Sequence, residues 1–276
     1  MSDVVLFPYH QDERLDDAAI VLPPGVEATL VDPPLPTADT QWPRLVALYE
    51  ELAQALDRGV RQRGLRAVVV GDCLASLGIL AGLQRAGHDP SIVWFDAHGD
   101  IHTWTSSTSK YLGGMPLRMM LGGDPDKLTG PLRIRTLPEE RAVLVDARDL
   151  DPGEVEFLAT SRVRRASVGD LRADDLPPGP ALVHIDLDVI DASEVPGMRF
   201  PVADGPSSEA VLAAVARLYA SGRIVLLSLS CPWYRTDDVT LARQRTALID
   251  RFLAVARAPD SAPSGIPAAS APSTTA

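Results

Sequence analysis

Short apolar runs alternate with longer amphipathic stretches along most of this chain. The runs at 4–7, 28–31, 67–70, 92–96, 142–145, 166–168, 182–186 and 224–229 have the length and apolar content of buried strands. The stretches at 43–61, 75–86, 115–121, 152–159, 209–221 and 237–255 carry apolar residues at helical spacing. Strands separated by helices in this way predict an α/β fold, a mainly parallel sheet of about eight strands with helices on both faces. Such sheets bind ligands outside the carboxyl ends of their strands. With no internal repeat and no linker, residues 1–257 read as one domain. The Pro-rich segment 32–38 reads as a surface loop, and the Ala/Pro/Ser-rich segment 258–276 as a disordered tail.

Two of the apolar runs end in acids. Ile92-Val93-Trp94-Phe95-Asp96-Ala97-His98-Gly99-Asp100 delivers two carboxylates and an imidazole to one strand end. Positions i, i+2 and i+4 of an extended chain share a side, so Asp96, His98 and Asp100 are expected to converge. Asp186 and Asp188 follow another run in the same manner. Carboxylates gathered in a buried volume repel one another unless cations hold them. Four Asp and one His make a hard, oxygen-rich set suited to Mn²⁺, with charge enough for two ions. Strand-end caps and surface acids are the bland alternative, and the inward His weighs against it.

Bulk properties narrow the field. A net charge of −11 argues against a nucleic-acid or anionic-membrane partner. Two cysteines, Cys73 and Cys231, do not make a disulfide framework and fit a reducing compartment. The start of the chain lacks the basic lead and apolar core of a signal peptide. No apolar stretch is long enough to span a membrane. A soluble, cytoplasmic protein is expected.

Four blocks, in order, resemble the ureohydrolase family of arginases, agmatinases and formiminoglutamases. Val70-Gly71-Asp72-Cys73-Leu74-Ala75-Ser76-Leu77-Gly78 is similar to the family's G-G-D-H-S-x-x-x-G block. Asp96–Asp100 looks like the family's D-A-H-x-D block, Asp186–Asp191 like its D-x-D-x-x-D-P block and Leu229-Ser230-Cys231-Pro232 like its E-x-x-P block. The resemblance implies a three-layer αβα fold, a dinuclear Mn²⁺ centre and hydrolysis at a guanidino or amidino carbon. The implied ligands are Cys73, Asp96, His98, Asp100, Asp186 and Asp188. Two ions about 3.5–4 Å apart would share a water that loses its proton near neutral pH and attacks. Cys73 stands where the family usually has His. A helix start would lower its pKa, and a softer ligand could turn the site toward Zn²⁺ or Fe²⁺. A buried, unligated Cys is the alternative.

The resemblance extends to the substrate end. Arg148-Asp149-Leu150-Asp151-Pro152-Gly153-Glu154 is similar to the arginase loop R-D-x-D-P-x-E and implies recognition of an α-amino group by Asp151 and Glu154. Helix capping by the same acids is the competing reading. The 108–116 loop is similar to the family's T-S-G-N-L-H-G-x-P loop. It implies contact with an α-carboxylate by Ser109, with His102 and Tyr111 at two Asn positions. Asp100 and His102 are the catalytic candidates, and His102 is the one nearby group named as a proton donor to the leaving group.

Three departures shape the expected substrate. The family's proton-shuttling loop His is Gly113, its guanidinium-pairing Glu is Leu229, and a Thr near the guanidino pocket is Phe200. Arg199 offers a contact to an anionic substrate as an alternative. A cationic guanidinium against Leu229 would pay a large desolvation cost, whereas N-hydroxylation lowers guanidine basicity. The combination resembles the Nω-hydroxy-L-arginine amidinohydrolases of D-cycloserine biosynthesis, a branch with Cys at this metal position. The expected reaction gives ornithine and hydroxyurea from a small guanidino amino acid, in a monomer or homotrimer. The competing readings are an arginase, agmatinase or formiminoglutamase with an altered site, and a metal-binding pseudoenzyme. A deacetylase on a related fold is disfavoured, because the chain has no His-His dipeptide.

Overall fold

A computed structural model describes residues 2–62 and 64–258. The expected tail at 258–276 lies, apart from Ala258, outside them. Eight strands form one sheet: β1 (Val4–Phe7), β4 (Ala28–Leu30), β5 (Ala67–Val70), β6 (Ser91–Asp96), β7 (Ala142–Asp146), β8 (Arg164–Ala166), β9 (Ala181–Asp186) and β10 (Ile224–Ser230). Their order is β4-β1-β5-β10-β9-β6-β7-β8 and every pairing is parallel. A short antiparallel pair, β2 (Tyr9–His10) and β3 (Glu13–Arg14), stands apart. The apolar pattern did not signal that pair, because two-residue strands are too short to show a period. The eighth strand lies two residues earlier than the run at 166–168 predicted. Arg164 and Arg165 are exposed on this edge, whereas Val168 lies past its end in the core.

Alternation along the strands divides the core. Val68, Val70, Trp94 and Leu144 face one cluster, and Val69, Phe95, Val145 and Leu229 face the other. Helices α1 (Gln41–Arg61), α2 (Ser76–Arg85), α3 (Pro116–Met120) and α4 (Pro152–Thr160) cover the first face; α5 (Ser208–Tyr219) and α6 (Val239–Arg257) cover the second. This is the expected three-layer αβα sandwich. Each fully buried Leu or Val adds roughly 1.5–3 kcal/mol. Helices α1 and α2 approach closely at glycine: a Cβ on Gly82 would lie 2.7 Å from the Ala53 carbonyl oxygen, and one on Gly78 3.0 Å from that of Tyr49. Gly78, the last residue of the first motif block, is therefore a packing residue. Among the described residues no helix is long and apolar enough to cross a membrane.

Candidate active site

The four central neighbours β5, β10, β9 and β6 present their carboxyl ends side by side. Cys73 follows β5, Ser230 ends β10, Asp186 ends β9 and Asp96 ends β6. Ser230 is in register with both Val70 and Asp186. The sheet's own order thus gathers residues far apart in sequence. Ligand atoms of Cys73, Asp96 and Asp186 all lie within 4.8 Å of one another, as do those of Asp96, His98 and Asp188. Asp96 belongs to both groups, as a bridging carboxylate would.

Asp100 arrives by a different route from the expected alternation. The strand stops at Asp96, and the chain turns back through Asp100 in the left-handed region, φ 53°. Its carboxylate is buried beside the same cavity, and Oδ2 has no hydrogen-bond partner among the described residues. A buried anionic oxygen without a donor is costly, and a cation would satisfy it.

Electrostatics support the same reading. Burial first, then the neighbouring Asp96, push the Asp100 carboxyl well above its usual range. Burial and the nearby Asp188 and Asp96 do likewise to Asp186. Asp188 is pushed up to about 7 by burial and Asp96, against the pull of His98. Burial alone would depress the His98 imidazole, but Asp188 and Asp96, 3.1 and 3.3 Å from Nδ1, outweigh it and hold it at about 12. With protein groups alone, protons supply the positive charge this cluster needs. A divalent cation would take over that role and reverse the local pKa shifts.

Cys73 is buried at the first turn before α2, and its Sγ donates to Asp186 Oδ2 at 2.7 Å. The expected depression of its pKa by a helix start does not prevail. Burial, then Asp186, Asp100, Asp96 and Asp72, raise the thiol well above its ordinary value. Behind it stands His184, which the sequence analysis did not single out. Its Nε2 lies 3.2 Å from Cys73 Sγ, its Nδ1 2.9 Å from Ser228 Oγ, and its ring stacks on Trp94 at 3.8 Å. Burial drives its pKa down to about 3, so the ring is neutral.

A cavity of about 250 Å³ opens over the cluster. All six candidate ligands line it, with His102, Ser109, Tyr111, Asp151 and Glu154. Glu154 is largely committed to structure: Oε2 accepts from the Asp151 N–H at 3.0 Å and Oε1 from the Ile101 N–H at 3.2 Å. That is the reach-back half of a capping box. Asp151 stays open to solvent, with Oδ2 3.0 Å from His102 Nε2. His102 is buried rather than solvated, and its Nδ1 lies 3.0 Å from Ser106 Oγ. Ser109 is exposed at the rim.

Two expectations need correction. Leu229 does not line the cavity; it is fully buried in the core on the α5/α6 side. Strand alternation decides this: Ser228 and Ser230 face the site and Leu229 faces away. Arg199 also lies off the cavity, 3.6 Å from Glu13 and 4.9 Å from the centre of the Tyr234 ring. Phe200 does line it, its ring 4.8 Å from that of Tyr111 and edge-on to His98 at 6.5 Å. His10 and Asp72, not anticipated from the sequence, join Tyr111: His10 Nε2 is 2.9 Å from its hydroxyl, which donates to Asp72 Oδ2 at 3.1 Å.

A buried thiol–carboxylate–imidazole cluster at the carboxyl edge of a parallel sheet has the donor set of a metal centre on an α/β fold. The family model "Arginase family" matches residues 27–232. An N(omega)-hydroxy-L-arginine amidinohydrolase from Streptomyces lavendulae is 30% identical over 237 residues, 82% of each chain. An arginase from Bacillus subtilis (strain 168) is 29% identical over 193 residues, 65% of each chain. The crystal structure of arginase from Bacillus cereus has the same fold, with a TM-score of 0.74 at 23% identity over 92% of this chain and 96% of that one. The chain belongs to the arginase family and is a hydrolase of that family.

Proposed function

We propose that this protein hydrolyses the guanidino group of Nω-hydroxy-L-arginine, or a near relative, to ornithine and hydroxyurea in the cytoplasm. The carrying observation is the wall facing the ligand cluster: Phe200 and Tyr111 pack together there, with Phe200 edge-on to His98. Leu229 places no carboxylate at that wall. A guanidine of lowered basicity enters such an apolar place at less desolvation cost than the arginine cation. The similarity to an amidinohydrolase of that substrate supports the reading.

Two Mn²⁺ ions would suit this oxygen-rich set: Cys73, Asp96 and Asp186 would hold one and Asp96, His98 and Asp188 the other, with Asp100 beside them on the cavity wall. Bound there, they would supply a water acidic enough to attack near neutral pH. The protein's own groups do the positioning. Asp151, open to solvent at the rim, accepts the α-amino group, and His102 holds its carboxylate in place. Ser109 presents its hydroxyl to the α-carboxylate. Phe200 and Tyr111 give the reacting carbon an aromatic wall.

The test is ornithine release by the Mn²⁺-loaded protein, with Nω-hydroxy-L-arginine and L-arginine compared side by side. A strong preference for the hydroxylated compound is expected. A preference for L-arginine would make this an arginase with an altered pocket. No hydrolysis of either would overturn the reading.

A further inference from the structure

We propose that the Tyr111 hydroxyl is the acid that protonates the departing nitrogen, with His10 as its proton supply. The inference rests on the guanidino hydrolysis proposed above. Tyr111 lines the cavity between the loop at its rim and the ligand cluster's aromatic wall. At one end its backbone N–H donates to Ser109 Oγ at 3.2 Å. At the other its ring packs on Phe200, next to His98. A substrate anchored at Ser109 and Asp151, with its guanidino carbon over the ligand cluster, lays its side-chain nitrogen alongside this ring.

The other hydroxyls and the loop imidazole at the cavity are tied to the loops that carry them. Both ring nitrogens of His102 have partners, Ser106 and Asp151. The Ser107 and Ser109 hydroxyls face each other at 3.4 Å and each also accepts from a loop N–H. The Tyr111 hydroxyl is engaged as well, but by two titratable side chains that can exchange a proton with it. Its oxygen sits between Asp72 Oδ2 at 3.1 Å and His10 Nε2 at 2.9 Å, and the His10 ring stacks on it at 5.9 Å. His10 itself keeps 8% of its surface in solvent. Gly113 makes this placement possible: a Cβ there would lie 2.6 Å from the Tyr111 oxygen and closer still to the ring.

The step balances. Water adds its oxygen to the guanidino carbon and releases a proton. The C–N bond to the ornithine nitrogen breaks, and its electron pair stays on that nitrogen. The Tyr111 O–H bond breaks as the new N–H bond forms. His10 Nε2–H then returns a proton to the phenolate, and His10 recovers one at Nδ1 from solvent. The proton released by the attacking water closes the account.

A less basic leaving nitrogen needs less protonation, so the test varies the leaving group. Its probes are Nω-hydroxy-L-arginine, which releases an alkylamine, and L-canavanine, which releases a weakly basic alkoxyamine. Tyr111→Phe should lower kcat on the first about a hundredfold, with KM and metal content little changed. On L-canavanine the loss should be slight. His10→Asn should show the same pattern at about a tenfold loss. Equal losses on both substrates, or an undiminished rate in Tyr111→Phe, would overturn the acid while leaving the hydrolase reading intact. A parent protein that hydrolyses neither compound would overturn that reading and the acid with it.

Discussion

At the scale of single residues, side-chain direction decides more than residue type. Leu229 was matched to a substrate position by its offset from Pro232, yet alternation turns it into the core. Leu229→Glu would therefore bury a carboxylate among apolar groups rather than offer a partner to arginine. A loss of about 3 kcal/mol or more in unfolding free energy is expected, read from urea denaturation; a stable variant with new L-arginine activity would refute this placement. Cys73 is a second case. A sulfur within reach of Asp96 and Asp186 should bind metal as thiolate once cations offset its raised pKa. Cys73→Ser should weaken metal binding tenfold or more, an estimate in line with losses at ligand-supporting groups. The Co²⁺-substituted variant should also lose the thiolate-to-cobalt charge-transfer band, and an unchanged spectrum would show that the sulfur is not a ligand. The acids at strand ends were legible because two apolar runs each deliver two carboxylates at alternate positions, Asp96 being followed and Asp188 preceded by a second Asp within four residues. His184 and His10 were not. His10 sits in a two-residue strand with no chemical signature around it, and His184 lies inside the apolar run before Asp186, where its inward direction carries no sequence signal; each meets its partner across more than a hundred residues.

At the scale of elements, the site is held by connections that sequence patterns name but do not explain. Arg148 opens the loop matched to the arginase form, and its guanidinium ties three segments together. It pairs with Asp146 and donates to the carbonyls of Val189 at 3.0 Å, Asp188 at 3.2 Å and Val202 at 2.8 Å. A planar fork with five donors can do this, and an ammonium cannot. Arg148→Lys should cost about 2 kcal/mol of stability and loosen the metal site that uses Asp188. Thermal melting and a Mn²⁺ titration would read the two effects, and a variant matching its parent in both would discard the brace. Helices α1 and α2 are also joined by charge, Arg85 donating to both oxygens of Glu50 at 2.7 Å. Arg85 lowers the Glu50 pKa from its ordinary 4.5. A depressed folded-state pKa adds stability above pH 4.5 that fades as pH falls through the folded value. Glu50→Gln should thus be less stable than its parent at neutral pH, with the gap closing in acid. Glu50 is more than a third exposed, so the gap is small. Urea midpoints at the two pH values test it, and a gap that widens in acid would contradict the sign. Most elements were legible from periodicity, but the edge strand β8 was displaced because its arginines carry no apolar signal.

At the scale of the whole molecule, fold stability and site occupancy are coupled. The parallel sheet has its carboxyl edge crowded with buried acids, on a chain already carrying a net charge of −11. Its four central strands are those that bear the cluster. An ion bound by the folded chain alone adds about 3–4 kcal/mol when its concentration is 100 to 1,000 times its dissociation constant. For a chain of this size each kcal/mol moves the melting temperature by about 2–4 °C. Removal of metal by a chelator should therefore lower the melting temperature by about 10 °C, and Mn²⁺ should restore it. The direction follows from the site itself: freeing Asp96, Asp100, Asp186 and Asp188 of cations leaves buried carboxylates facing one another, with the His98 imidazole between Asp96 and Asp188. Asp186→Asn would separate this from a general salt effect. It removes one ligand charge and one source of repulsion together, so the metal-free variant should melt no lower than its metal-free parent while gaining less from Mn²⁺. Calorimetry on the two proteins, with and without the ion, reads all four states. Equal gains from Mn²⁺ in parent and variant would place the stabilising ion somewhere other than the sheet's carboxyl edge.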